Sequence, residues 1–249
     1  MSANMTDSST GGISMSVLKV IACISMLIDH ITLCFIPQIT AAGEPSVLYL
    51  LGRCLGRPSF IIFSFALVEA FYHTRNRKKH LLLLLIFAFI SEAPFDYMRC
   101  GQIFGIYMLK QNVLFTFSIA FAAIWLLDYV HSRCFEKIKA EYYFYSVIII
   151  VTACVLAFLI RSDYTVIGVM CVLIFYFTRY DRKATIIAMI IWSIGAVFLN
   201  YDIEPFGLIA LWPILWLYNG KRGRSPKMFF YIFFPAHFLI LTAFMLWLY

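Results

Sequence analysis

Asp29 and His30 stand side by side inside the first long apolar stretch of this chain. An Asp, Lys or Arg at the centre of a bilayer costs ~2.5–3.5 kcal/mol on insertion scales, so such groups persist with partners or with a task. Imidazole titrates near neutral pH and both takes and returns a proton, which makes His30 the leading candidate for a general base. Neighbours on a helix point about 100° apart. Asp29 is therefore expected as a counter-ion for arginines rather than as the group that orients His30. Arg53 and Arg57 lie one turn apart in the second apolar stretch and supply those arginines. Glu92 and Asp96, with Pro94 between them, and the pair Asn112 and Thr116 complete a polar set within apolar sequence. Three acids, Asp29, Glu92 and Asp96, are expected to offset the two arginines. His237, two residues after Pro235, is a second histidine candidate.

A basic run carries a different chemistry. His73, Thr74, Arg75, Asn76, Arg77, Lys78, Lys79 and His80 follow one another without an acid. Such clusters commonly hold membrane topology, but this one is dense enough to bind an anionic cosubstrate such as a phosphorylated nucleotide. His73, Thr74, Arg75, Arg77 and Lys78 are its expected contacts. Glu69, one turn before His73, is placed to pair with it.

These residues need elements to hold them. The chain is 63% hydrophobic and 13% charged over 249 positions, against roughly 45–50% and ~25% for soluble domains. The excess predicts an all-α, polytopic membrane bundle, because helices are the open element that satisfies its own backbone in lipid. Nine apolar segments run at about 16–36, 47–72, 80–96, 113–130, 143–160, 164–178, 184–199, 205–218 and 228–249. The third, sixth, seventh and eighth are short for a span. Residues 1–14 are polar and expected to be disordered, and 15–249 form one membrane domain. The first segment lacks a basic flank before it and is expected to be a retained helix, not a cleaved signal.

The net charge of +7 does not point to nucleic acid, because the cations gather in short linkers between apolar runs. Fourteen Lys and Arg fall in the linkers on one side of a nine-span arrangement and three, Arg99, Lys110 and Arg161, on the other. The positive-inside rule then places the N-terminus inside and the C-terminus outside. It puts Asp29, His30, Arg53 and Arg57 in the outer half, with His30 about 20 Å along its helix. Asp163, Asp202 and Glu204 are expected in outer linkers. Seven cysteines, an odd number with no CxxC spacing, read as small buried hydrophobes. HExxH, GxSxG, Walker and GxGxxG motifs are absent from the sequence.

The motifs together resemble the TraX family. The resemblance rests on Leu18-Lys19-Val20-Ile21-Ala22, Met26-Leu27-Ile28-Asp29-His30, Gly52-Arg53, Gly56-Arg57-Pro58-Ser59-Phe60, Glu69 and the run His73–Lys79. It continues in Ser91-Glu92-Ala93-Pro94-Phe95-Asp96, Asn112-Val113-Leu114-Phe115-Thr116, Tyr231 and Pro235-Ala236-His237. It covers most of the chain and is weakest over about 131–200. TraX proteins are known for acetylating the N-terminus of conjugative pilin, and the family looks related to integral membrane acyltransferases that use acyl-CoA. The resemblance implies an acetyltransferase of the bacterial cytoplasmic membrane. Acetyl-CoA would be the cosubstrate, a pilin-like peptide or surface glycan the acceptor, and no metal is expected. It gives catalytic roles to His30, Arg53, Arg57 and His237, supported by Asp29, Glu69, Glu92, Asp96, Asn112 and Thr116. A transporter or exporter, and a scaffold of an envelope or pilus complex, are the competing expectations. The absence of paired hydrophobic repeats weighs against the transporter.

Overall fold

The computed structural model describes residues 12–44, 46–100, 110–134, 138–198, 217–224 and 228–248. Their helices are α1 (Met15–Phe35), α2 (Val47–Gly56), α3 (Pro58–His73), α4 (Arg77–Cys100) and α5 (Val113–Cys134). They continue with α6 (Lys139–Leu159), α7 (Thr165–Thr178), α8 (Arg182–Phe198) and α9 (Phe229–Leu248). Six spans among the described residues are long and apolar enough to cross a membrane: α1, α2 with α3, α4, α5, α6 and α9. The shorter apolar α7 lies among them. The expected segment at 205–218 lies outside the described residues except for its last two positions, and Asp202 and Glu204 lie wholly outside.

Four of the expected features change. The segment at 80–96 is not short: α4 has 24 residues and runs through Pro94. Its basic flank is helical too, since Arg77 to His80 form the first turn, capped by the Asn76 side chain, which accepts from the Lys79 backbone N–H at 2.9 Å. The segment at 47–72 is two helices. Pro58 has no N–H to continue the ladder and opens α3 at its first position. The Ser25 hydroxyl of α1 lies 2.5 and 3.0 Å from the Leu55 and Gly56 carbonyls at this break. Finally, the last part of the polar tail is ordered: Ile13 pairs with Tyr218, and the Met15 N–H donates to the Lys221 carbonyl at 2.9 Å.

The helices alternate in direction. Arg77 at the start of α4 meets Asp128 near the end of α5, whereas Asn112 before α5 meets Glu92 near the end of α4. Helix α9 runs parallel to α4, with Tyr231 beside His80 and Thr242 beside Pro94. Arg75, Arg133 at the end of α5, Arg179 and Arg222 thus share one end, the basic end. Lys137 and Lys227 lie outside the described residues. The spanning window through α2 and α3 is 72% buried, whereas that of α6 is 17% buried. The first is therefore the central span and the second faces outward. Fully buried Phe71, Phe121, Phe175 and Phe238 pack the bundle around it.

Candidate active site

Helix α1 can approach α2 closely because α2 presents Gly52 and Gly56 to it. At each glycine the space a Cβ would take is already filled, by Thr32 at Gly52 and by Asp29 at Gly56. Small residues four apart are the usual means of bringing two membrane helices together. The approach sets Arg53 against Asp29, with Nη1 donating to Oδ2 at 2.7 Å and both side chains largely buried. The second carboxylate oxygen, Asp29 Oδ1, is buried without a partner, as is Arg57 Nε. Arg57, at the junction of α2 and α3, turns to another neighbour: its Nη1 donates to the Tyr164 hydroxyl at 3.4 Å. Tyr164 stacks on Phe60 with ring centroids 3.9 Å apart. Burial pushes its phenol up to about 12, against the opposing pull of Arg57, so it stays a neutral hydroxyl in the cell.

His30 meets the other histidine. His30 Nδ1 lies 2.9 Å from His237 Nε2, and the rings stack with centroids 5.0 Å apart. His237 Nδ1 lies 3.1 Å from the Phe233 carbonyl, one turn earlier in α9. A carbonyl only accepts, so His237 Nδ1 carries the proton and Nε2 the lone pair. His30 Nδ1 must then be the donor to it. This leaves the lone pair of neutral His30 on Nε2, on a ring that lines the cavity described below. Phe238 packs on both rings, 4.8 Å from His30 and 4.0 Å from His237. Asp29 takes no part in the pair, in accord with the expectation from helix geometry.

Glu92 and Asp96 do not reach Arg53 or Arg57. Glu92 accepts a short hydrogen bond from the Asn112 side chain and a second from the Asn112 N–H. The physical reason is register: both acids sit late on α4, which packs against α5 and α9, while the arginines face α1 and α7. Asp96 faces the charge of Arg99 one turn on. Asn112 is fully buried, bonds the Ala88 carbonyl and caps α5 through the Leu114 N–H. Thr116 donates to the Asp163 carbonyl. Lys110 pairs with the Asp163 side chain at 3.0 Å, so this end is laced together across the α6–α7 linker.

At the basic end, Glu69 lies 3.6 Å from His73, as spacing suggested, but it has closer partners. Arg179 Nε donates to it at 2.8 Å and the Tyr218 hydroxyl at 3.1 Å. Burial and the Glu69 charge push the Tyr218 phenol upward. Arg77 is committed elsewhere: it pairs with Asp128 at 2.7 Å and lies over the Phe71 ring, 3.9 Å from its centroid. Arg179, Tyr218, Asp128 and Tyr164 were not foreseen from sequence. Each belongs to a linker or helix end whose partner is more than 50 residues away, a separation that local spacing does not encode.

One cavity of about 1360 Å³ connects the two ends. His30, Arg53, Arg57 and Asp163 line it at the far end, and His73, Thr74 and Arg75 line it at the basic end. It is larger than typical small-molecule sites of about 300–1,000 Å³. Arg77 and Lys78 are not among its lining. Asp29 and Arg57, each with an unpartnered buried polar atom, both contribute to the wall. The far end thus brings an imidazole and two guanidinium groups to one cavity wall.

The family model described as TraX protein matches residues 14–245. A relative described as "Probable fimbrial assembly protein FimC, serogroup H1", from Dichelobacter nodosus, is 30% identical over 247 residues, covering 91% of this chain and 93% of the relative. No solved structure matches. The polar set built around Asp29–Arg53 and His30–His237 therefore sits in a chain that belongs to the TraX family.

Proposed function

We propose that this protein is a membrane acetyltransferase that moves an acetyl group from acetyl-CoA at the basic end to an acceptor presented at the far end. The observation that carries this is the single cavity that joins the His30–Arg57 cluster to the basic mouth. His30 Nε2 takes the proton of the acceptor amine or hydroxyl as that atom attacks the thioester carbonyl. Arg57, which lines the cavity, steadies the oxyanion, and Arg53, held by Asp29, contributes its charge alongside. The carbon–sulfur bond then breaks, and the proton on His30 passes to the departing thiolate. His237 fixes the tautomer that makes this possible. The family and the name of the fimbrial relative support a pilin-like peptide as acceptor; a surface glycan is the alternative.

The printed name of the relative also favours a second reading, a non-catalytic scaffold of a pilus or fimbrial assembly complex. Purified protein in nanodiscs, given acetyl-CoA labelled in the acetyl group and a peptide carrying a free N-terminus, separates the two. Transfer of label that His30→Ala abolishes supports the enzyme. A wild-type protein that transfers no label to peptide or glycan yet co-purifies stably with pilus components overturns it in favour of the scaffold.

A further inference from the structure

Lys19 lies only one turn into α1, inside apolar sequence, where it lines the basic mouth of the cavity. Its ammonium sits 5.2 Å from the centroid of the Phe230 ring. Its charged neighbour is a second cation, Arg222, which lies within electrostatic reach of it. Arg75 and Lys79 line the same mouth. No ion pair is formed by Lys19, Arg75, Lys79 or Arg222 among the described residues. The acid that lines this mouth, Glu69, is already engaged by Arg179, Tyr218 and His73. His80, in the same lining, meets the Tyr231 hydroxyl at 3.0 Å through Nδ1. Four cations, from α1, the α3–α4 linker, α4 and the 217–224 segment, line one mouth and give it a positive potential that favours an anion.

We propose that this mouth is the anchoring site for the phosphates of a nucleotide-linked acyl donor, held by Lys19, Arg75, Lys79 and Arg222. This deepens, and rests on, the acetyltransferase reading. It moves the anion site away from Arg77 and Lys78, which do not line the cavity, and onto two residues far apart in sequence from the basic run, Lys19 and Arg222.

The test is equilibrium binding of CoA, 3′-dephospho-CoA and pantetheine to the full chain in phosphatidylcholine nanodiscs. The expected order is CoA, then dephospho-CoA, with pantetheine weakest. Lys19→Gln and Arg222→Gln are each expected to weaken CoA about 10- to 100-fold, the loss of a charge-assisted contact. Lys19→Arg should keep most of the affinity, and Lys78→Gln should change it less than two-fold. Equal CoA affinity in Lys19→Gln, Arg222→Gln and Lys78→Gln overturns the site while leaving the acetyltransferase reading intact. Failure of CoA to bind, with ATP or pyrophosphate bound in a Lys19- and Arg222-dependent way, keeps a phosphate site but removes CoA as donor. Binding of none of these anions overturns the proposal. Repeating the titration in phosphatidylglycerol nanodiscs separates the remaining source of phosphate: competition that Lys19→Gln relieves would assign the cations to lipid headgroups and overturn the nucleotide site.

Discussion

His237 Nε2 stands 2.9 Å from His30 Nδ1, and the carbonyl of Phe233, 3.1 Å from His237 Nδ1, decides which of the two nitrogens carries the proton. The chain of donors runs from His30 through His237 to the backbone of α9. It sets the lone pair on His30 Nε2 without a carboxylate, the usual orienting group for a catalytic imidazole.

The relationship grades three variants. His30→Ala removes the base, and turnover should fall by about 10²–10⁴. His237→Ala keeps the base but frees its tautomer and ring, so a smaller loss is expected. His237→Gln offers an amide oxygen that can accept from His30 Nδ1, and should retain more activity than His237→Ala. Acetyl transfer by protein checked for monodisperse elution measures this order. Full activity in His30→Ala, or a Gln variant no better than the Ala variant, would contradict the assigned roles.

Asp29 and Arg53 make the opposite kind of pair, one in which each charge tolerates its surroundings because of the other. Removing one partner of a buried pair costs about 3–5 kcal/mol, because the remaining charge is left in a poor solvent. Arg53→Ala should therefore lower the unfolding temperature markedly. The double variant Asp29→Asn with Arg53→Gln should recover much of that loss, since neither charge remains. It should not recover transfer activity, because the guanidinium is gone. Thermal unfolding in detergent, followed by intrinsic tryptophan fluorescence, reads the first effect and the labelled transfer assay the second.

Gly52 and Gly56 give a test of the helix contact that makes this pair. Overfilling a packed site costs about 1–3 kcal/mol. Gly52→Ala collides with the Thr32 side chain, whose hydroxyl and methyl are its closest atoms. Thr32→Ala should partly rescue it. Gly56→Ala collides first with the Cβ of Asp29, an atom that Asp29→Ala keeps. No such rescue is expected there. Unfolding temperatures of the four single variants and two double variants separate these cases, and an equal rescue at both positions would refute the packing described.

How much of this was legible in the sequence follows from the range of each interaction. The helices were readable because hydropathy is local, and the alternation of linkers was readable because all the cations except Lys19, Arg53 and Arg57 fall between apolar runs. Asp29–Arg53 was readable in kind, since a buried acid needs a cation and α1 and α2 are neighbours. Its exclusiveness was not, because Glu92 and Asp96 have the same chemistry, and only the packing of α4 against α9 and α5 turns them away. The break at Arg57-Pro58 was hidden by continuous hydropathy, although Pro58 signalled it. The His30–His237 pair joins residues 207 positions apart, and no spacing rule connects them. The basic run misled in a specific way: its density suggested one anion site, but the α3–α4 linker and the first turn of α4 point its residues in different directions. Arg75 and Lys79 line the cavity, while Arg77 turns to Asp128 and Lys78 to the outside.

That divergence makes Arg77 a structural residue, with a signature that differs from ligand binding. Its pair with Asp128 is about one-third exposed on each side, 30% and 34%, so the ion pair itself is worth only about 0–1 kcal/mol. The guanidinium also lies over Phe71, a contact worth about 0.5–2 kcal/mol when partly desolvated. Asp128→Asn removes the first contribution and leaves the second, whereas Arg77→Ala removes both. Arg77→Ala should therefore lower the unfolding temperature more than Asp128→Asn, and adding Asp128→Asn to Arg77→Ala should cost little more. Affinity for CoA should be unchanged in all three. A loss of CoA affinity in Arg77→Ala that Asp128→Asn does not share would place Arg77 back among the ligand contacts.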